Sequence, residues 1–160
     1  MTLLRDSLLM LGLMAAALLL MLLPLPEPLL PFRPAWLLLV LSAWTLQRGH
    51  EVALPGAFLA ALLLDAARGV TLGLHGVALL IPLAIVVQWR APLRALPLWQ
   101  SALAAIGLFV LHAALLTLLD GITGEHSDAS AHWWPILLST LLWPLAVLLL
   151  QPRPDSNRPG

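Results

Sequence analysis

Charged residues in this chain fall in short clusters, and between them lie almost unbroken apolar windows at 7–26, 34–47, 52–64, 69–89, 95–119 and 129–152. A helix crossing the hydrocarbon core of a bilayer takes about 20 residues. By that measure four windows are long enough to span, and 34–47 and 52–64 are short. The pattern predicts an all-α polytopic membrane protein, a compact bundle of about six transmembrane helices. The expected helices cover 7–23, 35–47, 52–67, 72–89, 98–119 and 133–150, in a single transmembrane domain over 1–150. The two short windows are either thin tilted helices or the arms of a hairpin that enters and leaves on one side. Both are tolerable where neighbouring helices satisfy the backbone.

Punctuation sets the boundaries. Pro24, Pro26, Pro28 and Pro31 cannot continue a helix, so the first connection is extended, whereas Pro55 and Pro135 suit first turns, where a missing N–H costs little. Gly69 suits a helix C-terminus, and Pro82 and Pro144 are expected to kink the fourth and sixth helices. Arg5 precedes an apolar run in which Ala15 and Ala17 imitate a signal cleavage site. The run continues past them to Leu23, which favours a retained helix.

Composition strengthens the membrane assignment: 61% of residues are hydrophobic and only 10% charged, against roughly half and a quarter in soluble domains. The formal net charge is zero, which argues against nucleic acid and against a polybasic lipid patch. With no cysteine there is no disulfide framework and no thiolate chemistry. Basic residues concentrate in cytoplasmic loops. Arg5, Arg48, Arg90, Arg94, Arg153 and Arg158 are therefore expected on the cytoplasmic side, with Arg33 and Arg68 opposite. Both termini then face the cytoplasm, and the Pro-rich tail 151–160 is expected to be disordered there. The segment from Asp120 to His132 is acidic, as a translocated loop should be. Trp36, Trp89, Trp99, Trp133 and Trp134 sit at segment ends, where indoles anchor in the headgroup zone.

Few residues offer chemistry. Asp65, at the edge of the third segment, stands out because an ionisable group at membrane depth is costly to bury unpaired. An i to i+3 contact with Arg68 is the simplest partner, yet a carboxylate at a helix C-terminus opposes the macrodipole. The N–H groups opening the fourth helix around Thr71 to Gly73 are better placed to receive it; proton or ion handling is the other reading. His50, His75, His112, His126 and His132 are scattered without zinc-protease spacing. His126, Asp128 and His132 share a loop in which nothing fixes a coordination geometry, and His112 reads as a packed histidine bonded to a carbonyl. No serine lies in a nucleophile elbow and no glycine-rich phosphate cradle occurs. Neither a cofactor nor a metal is expected, nor catalysis. Small residues at Gly56, Ala57, Ala60 and Ala61, and at Ala102, Ala104, Ala105 and Gly107, permit close helix approach within the bundle or to a partner helix.

Several short motifs resemble one family in order and spacing: Phe32-Arg33-Pro34-Ala35-Trp36, Trp44, Gly56, Leu64-Asp65, Gly69, Thr71-Leu72-Gly73, Leu98-Trp99-Gln100 and Leu142-Trp143-Pro144. Together they resemble the MreD family of bacterial rod-shape-determining proteins, although position 43 is Ala where that family places Tyr. The resemblance implies a multi-pass inner-membrane scaffold that binds MreC and links MreB to the polymerase RodA and a class B penicillin-binding protein. It also implies a fold similar to the S components of energy-coupling-factor transporters, which does not confer a substrate. Arg33, Pro34, Trp36, Trp44, Gly56, Asp65, Gly69, Gly73, Trp99, Gln100, Trp143 and Pro144 are the motif positions. The alternative is a small-molecule-binding subunit of a vitamin-type transporter, its cavity lined by Trp44, His75, Gln88 and His112.

Overall fold

The computed structural model describes residues 2–24, 26, 33–48, 53–124 and 129–151. Among them are seven α-helices and no strand: α1 (Thr2–Leu22), α2 (Trp36–Gln47), α3 (Ala53–Arg68), α4 (Leu74–Gln88), α5 (Arg90–Ala95), α6 (Leu98–Thr123) and α7 (Ala129–Leu149). The 151–160 tail, apart from Gln151, lies outside the described residues, as do Phe32, His50 and the 125–128 part of the acidic segment.

The bundle is organised around α2, the shortest of the described helices apart from α5. Nine of the twelve residues of α2 are buried, and α2 packs against α1, α3, α4, α5 and α7. A helix that is apolar on every face has no solvated side and belongs inside. Around it run the pairings α1 with α3, α3 with α4, α4 with α6, and α6 with α7. At ~1.5 Å per residue, α2 is only about 18 Å long, well short of the ~30 Å hydrocarbon thickness. Both of its ends meet protein groups. Ser139 of α7, itself fully buried, accepts the Ala35 N–H at 2.9 Å where α2 begins. Arg90 Nε donates to Leu46 O at 3.2 Å where it ends.

Polar contacts gather at two opposite ends of the bundle. At one end Arg48 donates to Asp6 at 2.6 Å and to Leu150 O at 3.2 Å, with its guanidinium carbon 5.0 Å from the Trp44 ring centroid, joining α1, α2 and α7. At the other, Arg33 donates to Met21 O and Leu23 O, the free carbonyls where α1 finishes. Between these ends the interior is closed by sparse polar links. Trp143 donates to Ser101 Oγ at 3.2 Å and meets Phe109 edge-on with ring centroids 6.3 Å apart. His112 Nδ1 donates to Ala78 O at 2.8 Å.

The outer surface is apolar: Leu8, Leu19, Leu59, Leu63, Leu137 and Leu141 are all exposed. Water-soluble proteins rarely present contiguous apolar surface on this scale. Two helical stretches, Leu4–Leu22 and Leu98–Thr123, are long and apolar enough to cross a membrane. Exposed tryptophans fall at both ends, with Trp133 and Trp134 near the start of α7 and Trp89 and Trp99 beside α5.

Four features differ from the sequence expectation. Helix α1 begins at Thr2, five residues before the expected start, and carries Arg5 and Asp6 within it. Helix α5 occupies a stretch read as a charged loop; its Pro92 falls in the first turn, where no N–H is needed. Helix α6 continues past Leu119 to Thr123, carrying Asp120 into the helix before Gly124 ends it at φ 74°. Helix α7 begins at Ala129, four residues before the expected start, so Pro135 lies in its interior and not in the first turn.

If α2 is the enclosed centre, Leu41→Ala (0% exposed) should destabilise the protein by about 2–5 kcal/mol through a cavity. Leu141→Ala (74% exposed) should shift it by less than ~0.5 kcal/mol. Unfolding in detergent micelles compares the two, and equal losses would contradict this packing.

Candidate functional site

The turn from α3 to α4 brings together Asp65, Arg68 and His75. Helix α3 ends at Arg68, and Gly69 follows with φ 67°, the left-handed conformation that closes a helix. Val70 N then donates back to Asp65 O at 3.2 Å. Thr71 and Leu72 turn the chain, and Gly73, at φ 93°, caps the N-terminus of α4. A Cβ at Gly69 or Gly73 would meet nothing within 4 Å. Backbone dihedral, not space, therefore demands glycine at both positions.

Gly73 has no side chain with which to accept the free N–H groups of α4. Asp65 performs that task from the preceding helix. Its side chain is 0% exposed; Oδ2 accepts the Gly73 N–H at 2.7 Å, and Oδ1 accepts the His75 N–H at 3.2 Å and His75 Nδ1 at 2.6 Å. The carboxylate thus lies at the negative end of α3 but also at the positive end of α4, where charge and donors favour it. The Gly73 N–H lies in the stretch that the macrodipole argument pointed to, whereas the His75 amide and ring lie beyond it. Arg68 does not close on the carboxylate; its Nη1 meets His75 Nε2 at 3.1 Å and its Nη2 donates to Met21 O at 3.4 Å. Asp65, His75 and Arg68 form one row, from a buried acid through an imidazole to an exposed guanidinium. Asp120 of α6 bears electrostatically on His75, and Arg33 on Arg68.

The twelve motif positions do not converge on one centre. Arg33, Asp65, Gly69 and Gly73 share this end of the bundle, with half-buried Pro34 and Trp36 opening α2 beside Ser139. Gly56 lies where α3 approaches α1, and a Cβ there would sit 3.1 Å from Met14 Sδ. Trp44 packs beneath Arg48 towards the opposite end. Trp99 is 64% exposed at the start of α6, beside half-buried Gln100. Trp143 is buried against Phe109 and Ser101, and Pro144 follows it, half-buried, inside α7.

The sequence reading did not single out His75 or Ser139 as structural partners. For His75 a signal existed: it stands two residues after Gly73, at the second position of α4, where a side chain can reach a carboxylate capping that helix. Ser139 shows no local pattern, because its partner lies 104 residues away. Among the described residues no group of three or more His, Asp or Glu side chains could hold a metal ion. The row ends on Arg68, a donor without a lone pair, so it presents no nucleophile.

Removing the carboxylate would strand two buried N–H groups, each worth about 1–3 kcal/mol. Asp65→Ala should therefore lose at least ~2 kcal/mol of stability, with Asp65→Asn, which keeps an acceptor, falling between it and the native chain. Gly73→Ala should lose about 1–2 kcal/mol from φ alone. Unfolding in detergent provides the ranking, and an unchanged Asp65→Ala variant would contradict the capping role.

The model of the rod shape-determining protein MreD family matches residues 2–153. The rod shape-determining protein MreD of Haemophilus influenzae is 37% identical over 122 residues, which cover 74% of this chain and 74% of that protein. No solved structure matches. The match extends through every helix described above, and on it the chain belongs to the MreD family, membrane proteins with a structural part in determining rod shape.

Proposed function

We propose that this chain is a non-catalytic, multi-pass scaffold of the bacterial rod complex. In this reading it binds MreC in the inner membrane and helps couple MreB to peptidoglycan synthesis by RodA and a class B penicillin-binding protein. The observation that carries the proposal is the use made of the interior polar groups. Asp65, His75, Arg33, Arg48, Ser101 and Ser139 all bind other parts of the same chain, closing the bundle instead of lining a path or a reaction centre. Function then resides in outer surfaces and in the shape that these contacts hold.

In the same reading the six longer helices each traverse the bilayer within one domain, with α2 and α3 carried across by the protein around them. The Arg48, Arg90 and Arg94 end is cytoplasmic, together with both termini, and the Asp65 end faces outward. The exposed tryptophans at each end support that placement. The motif residues serve the bundle's shape, and through it the partner surface.

The transporter-subunit alternative has less support. The space between His75 and His112 is about 10 Å³, bordered by Met21, Leu38, Leu64 and Leu79. It has room for about one water, and neither Trp44 nor Gln88 borders it. A fold similarity to transporter S components would not alter that, since fold alone assigns no ligand.

Depletion of the protein in its rod-shaped host should round the cells, and re-expression should restore rods. Asp65→Ala, expressed at matched levels, should recover less MreC on co-purification than the native chain. Cells that remain rods on depletion would refute the scaffold role, and full MreC recovery with the variant would separate the Asp65 corner from it.

A further inference from the structure

Arginine fixes the position of a proton in the α3–α4 corner. A guanidinium has five N–H donors and no acceptor, so the 3.1 Å contact of Arg68 Nη1 with His75 Nε2 requires a lone pair on Nε2. The ring proton then sits on Nδ1, donated to Asp65 Oδ1 across 2.6 Å. His75 is thereby held as the neutral Nδ1–H form between a buried carboxylate and an exposed guanidinium, with Arg68 also reaching Met21 O at the end of α1.

We infer that His75 is a proton-sensitive latch, which ties the ends of α1, α3 and α4 together when neutral and releases Arg68 when protonated. The proton comes from solvent, which reaches Arg68 at the surface of the bundle. It adds to the Nε2 lone pair and nothing leaves the ring. Two cationic donors then face each other across the former hydrogen bond, so Arg68 swings out and gives up Met21 O. The Nδ1–H remains on Asp65, now as an ion pair, and the capped turn survives.

Each neighbouring element contributes to this balance. From α3 come Asp65 and Arg68, and from α6 Asp120, which supplies a second negative charge near the ring. Arg33, preceding α2, bears on Arg68 and keeps its own hold on Met21 O and Leu23 O. His112 of α6 borders the same small space, but its Nδ1 is turned to Ala78 O. Helix α1 contributes carbonyl oxygens here. Protonation thus loosens α1 from α3 and α4 without freeing it. The latch goes beyond the scaffold reading and does not depend on it.

The absence of cysteine allows a clean test. Spin labels at Leu23→Cys and Leu72→Cys, both exposed, report the separation of α1 from the turn in full-length protein in lipid nanodiscs. Between about pH 8 and about pH 4, from above the ordinary histidine range to well below it, the native background should pass from one narrow distance to a longer, broader one by a few ångströms. His75→Gln should stay narrow at both, and His112→Gln should follow the native response. A native distance that does not move, or a His75→Gln variant that moves equally, would overturn the latch. A second measurement needs no variant: nitrogen NMR of His75 at the higher pH should find the unprotonated nitrogen at Nε2, and a proton there instead would also overturn it.

Discussion

A carboxylate removed from solvent costs several kcal/mol unless its oxygens are occupied by donors, and Asp65 is wholly buried with three donors on its two oxygens. This arrangement constrains much of the chain around it. The donors belong to the first residues of α4, so α4 must begin beside the last turn of α3. The chain between them must reverse within a few residues, which is why Gly69 and Gly73 take positive φ. Once α4 is so placed, it lies against α2 and α6, and His112 of α6 can reach Ala78 O.

The second constraint is length. Helix α2 cannot cross a bilayer core by itself, and it is covered on all sides by the longer helices. Its ends meet Ser139 and Arg90, so one N–H where α2 begins and one carbonyl where it ends are bound by protein. Arg48, Arg33 and Arg68 then join neighbouring helices at the two ends. A belt of exposed leucine and isoleucine lies between. Charged groups gathered at two ends with an apolar belt between them form the arrangement a bilayer selects, and it leaves the outer helix faces available for lipid or for another helix.

Much of this organisation is legible in the sequence because charge is costly inside a bilayer and so gathers near helix ends. The apolar windows locate the long helices, and the macrodipole mismatch at Asp65 points to the N–H groups of the next helix. What escapes is of two kinds. Helix α5 lies in an arginine-bearing stretch, where segmentation by charge reads a loop, and the first turn of α7, although inside the apolar window that opens at 129, is read with the acidic segment that runs to His132. Ser139 with Ala35, and Arg48 with Leu150, are pairings of residues more than 100 positions apart. No periodicity announces them, because they exist only once the bundle has closed. The motif residues behave likewise: their spacing along the chain is regular enough to resemble the family, yet in space they divide between both ends of the bundle.

The capping of α4 by Asp65 is tested most directly at the two amides it accepts. In hydrogen–deuterium exchange of the full-length protein in nanodiscs, read residue by residue by NMR, the Gly73 and His75 amides should exchange far more slowly than unprotected amides. Asp65→Asn should speed both while leaving the middle of α2 unchanged. Exchange of Gly73 and His75 at the unprotected rate in the native protein would contradict the account.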